Sequence, residues 1–116
     1  MGATTLLGQK TATTPIGRKA HLHGFPIRLP EMLQHMDGVA FLARESVSSP
    51  GKVVRAKKSL RQAFECQLEN RGFSYVEILS PCSTGLKKNA TDAMTWVSEE
   101  MEKYYTVGAI KLPEVV

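Results

Sequence analysis

The chain has 116 residues, of which 42% are hydrophobic and 22% charged, and its formal net charge is +4. That length suits one folding unit with a real core and is too short for two domains, and so mild a basic excess is far from the profile of a nucleic-acid binder. The longest apolar run, Val39 to Ala43, falls far below the roughly 20 residues that span a bilayer, and the N-terminus lacks the basic and apolar regions of a secretory signal, so the chain reads as cytoplasmic with no membrane partner.

Residues 1–30 show no sustained period of 2 or 3.6 and are dense in Thr, Gly, Pro and Lys, which favour turns and open backbone. An irregular stretch of that size is uncommon inside a compact domain, so it is functional, disordered or packed against something outside the chain, the last being the expectation. Pro30 then opens a short helix over Glu31 to Met36, and Gly38 supplies a left-handed stop that leads into the apolar strand Val39 to Ala43. Ser49-Pro50 gives an N-cap and a first-turn proline for a long helix reaching about Arg71 and closed by Gly72. Its spacing puts Val53, Leu60, Phe64 and Leu68 on the inward face, with Arg55, Lys58, Arg61, Glu65 and Glu69 on the solvated one.

Phe73 to Leu79 is rich in β-branched and aromatic residues and ends at Ser80-Pro81, which marks a second strand. Strand, long helix, strand is the βαβ unit, whose two strands lie parallel. Asn89, with Asp92 three residues on, caps a last helix with Ala93, Trp96, Val97 and Met101 inward, and the segment after Tyr105 reads as a loose tail. The expectation is therefore a single incomplete α/β domain over 1–116: a loop at 1–30, a helix-strand-helix-strand-helix core at 31–105 and a tail at 106–116. Two or three parallel strands make only part of a doubly wound sheet, so further strands should come from elsewhere.

Open parallel sheets bind ligands beyond the carboxyl ends of their strands. Two segments are expected there, Arg44 to Ser49 and Ser80 to Lys88. Cys82, just after a strand and among hydroxyls and lysines, suits a metal ligand or a nucleophile, and equally a partly buried structural thiol. Two cysteines are too few for a disulfide framework, so both read as reduced thiols, with Cys66 on a helix flank in a structural role. His21 and His23 read as solvated loop histidines, because with the cysteines they fit no compact zinc spacing. Gly8, Gly17 and Gly24 are too far apart for a phosphate cradle. No catalytic residue can be identified, and the basic run Lys52, Arg55, Lys57, Lys58 and Arg61 reads as a solvated face rather than a nucleic-acid surface.

The stretch Thr4-Thr5-Leu6-Leu7-Gly8-Gln9-Lys10-Thr11-Ala12-Thr13-Thr14-Pro15-Ile16-Gly17-Arg18 resembles a segment of the thiamine-diphosphate-binding β subunit of 2-oxoacid:ferredoxin oxidoreductases. Gly38 to Arg44, Ala63 to Leu68, Gly72 to Ser80 and Ala93 to Val97 resemble the same subunit, most closely in its 2-oxoglutarate and 2-ketoisovalerate types. The resemblance implies an enzyme that decarboxylates a 2-oxoacid on thiamine diphosphate with magnesium, sends electrons through 4Fe-4S clusters to ferredoxin, and releases an acyl-coenzyme A. It also implies partners: an α subunit and, where present, γ or δ subunits.

The family's Gly-Asp-Gly and Cys-x-x-Cys elements are not in this sequence. The chain thus resembles the C-terminal part of the subunit, a split gene product, truncation or excised fragment that is inactive and cofactor-free by itself and needs the missing N-terminal half. The alternative is a non-catalytic remnant or interaction module of the same fold. Carried over residue by residue, Cys82 matches a 4Fe-4S ligand of the intact enzyme, although Ser83-Thr84-Gly85 follows it where the family commonly has Pro-Thr. Thr4 and Thr5 match residues near thiamine diphosphate.

Overall fold

In the computed structural model, which describes residues 2–114, the centre of the molecule is a strand buried along its whole length. This strand, β1 (Val39–Ser46), takes in not only the apolar run but also Arg44, Glu45 and Ser46. Beside it lies β2 (Phe73–Leu79), parallel and in register from Leu42 opposite Tyr75 to Ser46 opposite Leu79. Between them runs α3 (Pro50–Leu68), started by Ser49, whose hydroxyl accepts the Lys52 amide at 3.4 Å. The fold is α/β, built on the βαβ unit that the alternation of strand, helix and strand implies.

The third strand is where the sequence reading needs correction. Residues 106–116 were expected as a loose tail, but β3 (Gly108–Lys111) pairs antiparallel with β1, giving the order β2-β1-β3. Gly108–Lys111 is at the short limit for a strand and its Gly-Ala-Ile-Lys sequence shows no strict alternation of apolar and polar residues. The sheet is consequently mixed rather than purely parallel.

Alternation along β1 separates two packing layers. Phe41 and Ala43 face α3 and meet Cys66, with Ala63 and Val76 around them. Glu45 points the same way, and its carboxylate accepts the buried Ser59 hydroxyl at 2.6 Å. The face of α3 on the sheet is therefore Ala56, Ser59, Ala63 and Cys66, small residues that let helix and sheet approach closely. The expected inward ridge is instead exposed: Phe64 is 68% and Leu68 83% accessible, and Leu60 lies beside them. Cys66, expected on a helix flank, is buried in this layer.

On the opposite face, Leu79 packs with Val97, Met101 and Tyr105, joined by Leu6, Trp96 and Tyr104. These come from a last helical segment made of α5 (Ala90–Trp96), a π turn at Val97–Met101 and α6 (Glu102–Tyr104), capped by the Asn89 side chain on the Asp92 amide. Its inward residues, Ala93, Val97, Met101 and Tyr105, recur every four positions. A 3.6-residue helix overshoots by about 40° per such step. The wider π turn takes up part of that drift and keeps one stripe on the sheet.

Two turns fix the strand entry. Within the expected loop the chain forms one helical turn, α1 (Ala20–His23); the short α2 (Leu29–Leu33) follows with Pro30 in its first turn, and Gly38, at φ +83°, turns the chain into β1. The long helix stops at Leu68 rather than near Arg71, because Asn70 at φ +54° takes the left-handed position. Gly72 then passes so close to Gly38 that an added Cβ would meet the Gly38 carbonyl oxygen at 2.5 Å, and Phe73 donates its amide to that oxygen at 2.8 Å.

Candidate functional site

Beyond the carboxyl end of β2 the chain turns through Ser80-Pro81 into α4 (Ser83–Leu86). Cys82 caps this turn, and its exposed Sγ accepts the Gly85 amide at 3.3 Å.

The N-terminal segment closes over this turn. It carries no β or helical period because it is organised by side chains rather than by a ladder. Buried Arg18 donates to six backbone carbonyls: Gly2, Ala3 and Thr5 on one arm, and His23, Gly24 and Phe25 on the other. Its planar fork suits an acceptor set spread around one plane. Thr5 is held twice more, with its amide on the Gly2 carbonyl and its Oγ1 accepting the Gly2 amide at 2.9 Å. Gln9 Oε1 accepts the Leu6 amide at 2.8 Å. The Ala12 amide donates to the Gly85 carbonyl at 2.9 Å, which fastens the Thr11–Thr14 turn to the loop bearing Cys82.

Together these segments enclose a cleft of about 240 Å³ whose walls include Thr4, Thr5, Gln9, Thr11, Cys82 and Trp96. The residues carried over from the resemblance come together here, although Cys82 lies 77 positions from Thr5 and 78 from Thr4. Cys66 does not, being on the other face of the sheet. Neither do His21, which is exposed, nor His23, whose Nδ1 accepts the Lys19 amide at 3.0 Å. Among the described residues no group of three or more His, Cys, Asp or Glu side chains could hold a metal ion.

Arg44 also lies elsewhere than expected. It was read as part of a ligand-facing edge, yet it sits inside β1 with its side chain fully buried. Its guanidinium donates to both Glu31 oxygens, to Glu77 and to the Thr106 carbonyl, and lies 4.9 Å from the Tyr105 ring centre. Burial works against its charge, but the hydrogen bonds and charges of Glu31 and Glu77 hold its pKa above the ordinary value. The Arg44 hydrogen bond in turn holds the Glu31 carboxyl below its usual range. All these groups are matched within the set, so the cluster ties α2, β1, β2 and the strand entry of β3 together.

Sequence reasoning missed two residues that shape the cleft. Arg18 is a single arginine in a polar loop, and nothing in its spacing signals a clamp. Tyr105 lies at the end of the last helix; its hydroxyl donates to the Thr4 carbonyl at 3.1 Å, and burial, followed by Tyr104 and Glu77, pushes its pKa to about 12. The four-residue stripe from Ala93 through Val97 and Met101 would have pointed to it.

The cleft offers hydroxyls, an amide and one thiol, but no Asp, Glu, Lys or Arg lines it. A hard divalent cation has no carboxylate cage here, and a diphosphate has no cationic partner. Cys82 fits a single cluster ligand, whereas a four-iron cluster takes thiolates that this cleft does not supply. No helix among the described residues is long and apolar enough to cross a membrane.

Fold and site together define an α/β domain with a polar, thiol-bearing cleft at the carboxyl end of its parallel pair. Over 107 residues the chain is 37% identical to the ketoisovalerate oxidoreductase subunit VorA of Methanothermobacter thermautotrophicus and 36% identical to the subunit of the same name from Methanothermobacter marburgensis. Each match takes in 92% of this chain but 22% of the relative, so the chain spans about a fifth of the length of the curated relatives it matches. The chain is thus related to one subunit of a 2-oxoacid oxidoreductase. No protein-family model matches the chain. No solved structure matches it either.

Proposed function

We propose that this chain forms part of the thiamine-diphosphate-binding β subunit of a cytoplasmic 2-oxoacid:ferredoxin oxidoreductase that acts on a branched 2-oxoacid such as ketoisovalerate. The observation that carries the reading is the gathering of Thr4, Thr5 and Cys82 around one cleft, and the similarity to VorA supports it. In this reading the chain corresponds to the C-terminal portion of the subunit and is inactive without the remaining portion and its α, γ or δ partners. Thr4 and Thr5 line the approach to thiamine diphosphate, and Cys82 supplies one thiolate to a 4Fe-4S cluster. Thiamine diphosphate, if bound beside Thr4 and Thr5, would supply stabilisation of negative charge at the reacting carbon, and a 4Fe-4S cluster held in part by Cys82 would supply single-electron transfer.

The chain's own residues then orient and enclose. Arg18 and Tyr105 hold the carbonyls of Thr5 and Thr4, and the Gly85 amide donates to the Cys82 sulfur. Magnesium and diphosphate ligands have to come from another polypeptide segment, because none lines the cleft.

The test is iron and sulfide analysis of the assembled enzyme. Cys82→Ser is expected to deplete one cluster, and Cys66→Ser to leave iron content unchanged because that thiol is buried on the far side of the sheet. Equal cluster content in Cys82→Ser and the parent would overturn the assignment.

A further inference from the structure

The two edges of the sheet are built differently. The β3 edge is four residues long, carries Lys111 and has an irregular register with β1, devices that blunt an edge against pairing. The β2 edge runs for seven residues and contains neither Lys nor Pro. Its one charged residue, Glu77, is tied inward to Arg44 at 2.8 Å. Phe73 donates to Gly38 and Leu79 accepts from Val47, so the odd-numbered residues of β2 bond to β1. By alternation, the peptide groups of Ser74, Val76 and Ile78 face outward.

The side of α3 above this edge is unprotected too. Leu60, Ala63 and Phe64 with Phe73 and Val76 line an apolar groove of about 370 Å³, and Leu68 extends the ridge by one more turn. Helical spacing places Lys57 and Arg61 along its outer rim, and both are exposed. Parallel strands are normally covered on both faces and continued at the edge.

We infer that the β2 edge and the α3 groove are an assembly surface that accepts an extended strand from the portion of a VorA-type polypeptide to which this chain has no counterpart. That strand would add its backbone to Ser74, Val76 and Ile78, seat alternate apolar side chains against Leu60 and Phe64, and set acidic residues opposite Lys57 and Arg61. The occupant is foreign rather than a second copy, because β2 pairing with itself would bring two Lys57–Arg61 rims together. The relatives' unmatched length, nearly four-fifths of each chain, is the source. This inference rests on the similarity to VorA and not on the chemistry of the cleft.

The experiment is co-expression of this chain with the unmatched remainder of the Methanothermobacter thermautotrophicus subunit, followed by light scattering and hydrogen exchange. A one-to-one complex is expected, with exchange at Ser74, Val76 and Ile78 slowed upon assembly. Phe64→Glu, exposed and therefore tolerated by the fold, should weaken the complex by about tenfold or more. Lys57→Glu should weaken it by less and flatten its salt dependence. Cys82→Ser lies on the other side of the sheet and should leave affinity unchanged, so a failed cluster assignment and a failed interface give different results. No complex, a complex indifferent to Phe64→Glu, or self-association of this chain through the same residues would overturn the inference.

Discussion

The Tyr105 hydroxyl donates to the Thr4 carbonyl at 3.1 Å, joining residues 101 positions apart. It fastens the end of the last helix to a wall of the cleft from a fully buried position. Tyr105→Phe keeps the ring and removes the donor, so unfolding by urea should show a loss of about 1 kcal/mol. High pH should act the same way. With the pKa raised to about 12 from an ordinary 10.0, the phenol's contribution is complete below 10.0 and lost as pH rises through 12. A Phe variant with parental stability and the parental alkaline profile would show that this bond contributes nothing.

Arg18 is expected to be the most sensitive position in the N-terminal segment. Arg18→Met leaves six carbonyls without their common donor, a loss on the order of 3 kcal/mol if several stay dry. Arg18→Lys should recover only a fraction, since a compact ammonium cannot reach both arms. Limited proteolysis with peptide mapping checks this: cleavage within residues 2–25 should accelerate in both variants, more in Met. Parental cleavage rates in Arg18→Met would rule out the clamp.

Acid should loosen the Arg44 cluster. The folded-state pKa of Glu31 is depressed, chiefly by its hydrogen bond to Arg44, so its contribution is present above the ordinary value of 4.5 and disappears as pH falls through the folded value. Because Glu31 is 31% exposed, screening limits the effect to about 1 kcal/mol. Glu31→Gln should be less stable than the parent at neutral pH and should show a shallower decline as pH falls below 4.5. Parallel stability curves for the two proteins would contradict the role given to this carboxylate.

The isolated chain should bind neither thiamine diphosphate nor magnesium with useful affinity, because its cleft has neither a carboxylate nor a cation. Titration calorimetry decides the matter: micromolar, magnesium-dependent heats would mean that the walls described here are already a complete site.

The elements that were legible in the sequence are those whose signals are local. Ser49-Pro50 marked the start of α3, β-branched and aromatic residues marked β2, and Asn89 marked the last helix together with its Ala93, Val97 and Met101 stripe. What failed was inference about surroundings. Leu60, Phe64 and Leu68 form a correct helical stripe, yet the stripe does not say which face meets the sheet, and Ala56, Ser59 and Cys66 take that place. Arg44 and Glu45 looked like residues of a ligand-facing edge, and only their partners Glu31, Glu77 and Ser59 make burial possible. Cys82 stood out by its place just after a strand, but Thr4 and Thr5 were singled out only by resemblance to a family, since nothing in their spacing brings the three together. The contacts that do so, from Arg18 and Tyr105 to backbone carbonyls, leave no periodic trace.

Trp96 is the sole tryptophan of the chain, and it lies half-buried in the wall of the same cleft as Cys82. The protein therefore carries an intrinsic optical probe at the place where a ligand would arrive. Indole emission depends on nearby water and is quenched by coloured, redox-active groups, so filling this cleft would change the colour and intensity of a single, unambiguous fluorophore. Arrival of a cofactor, or of the segment that brings one, could be followed in real time without attaching a label.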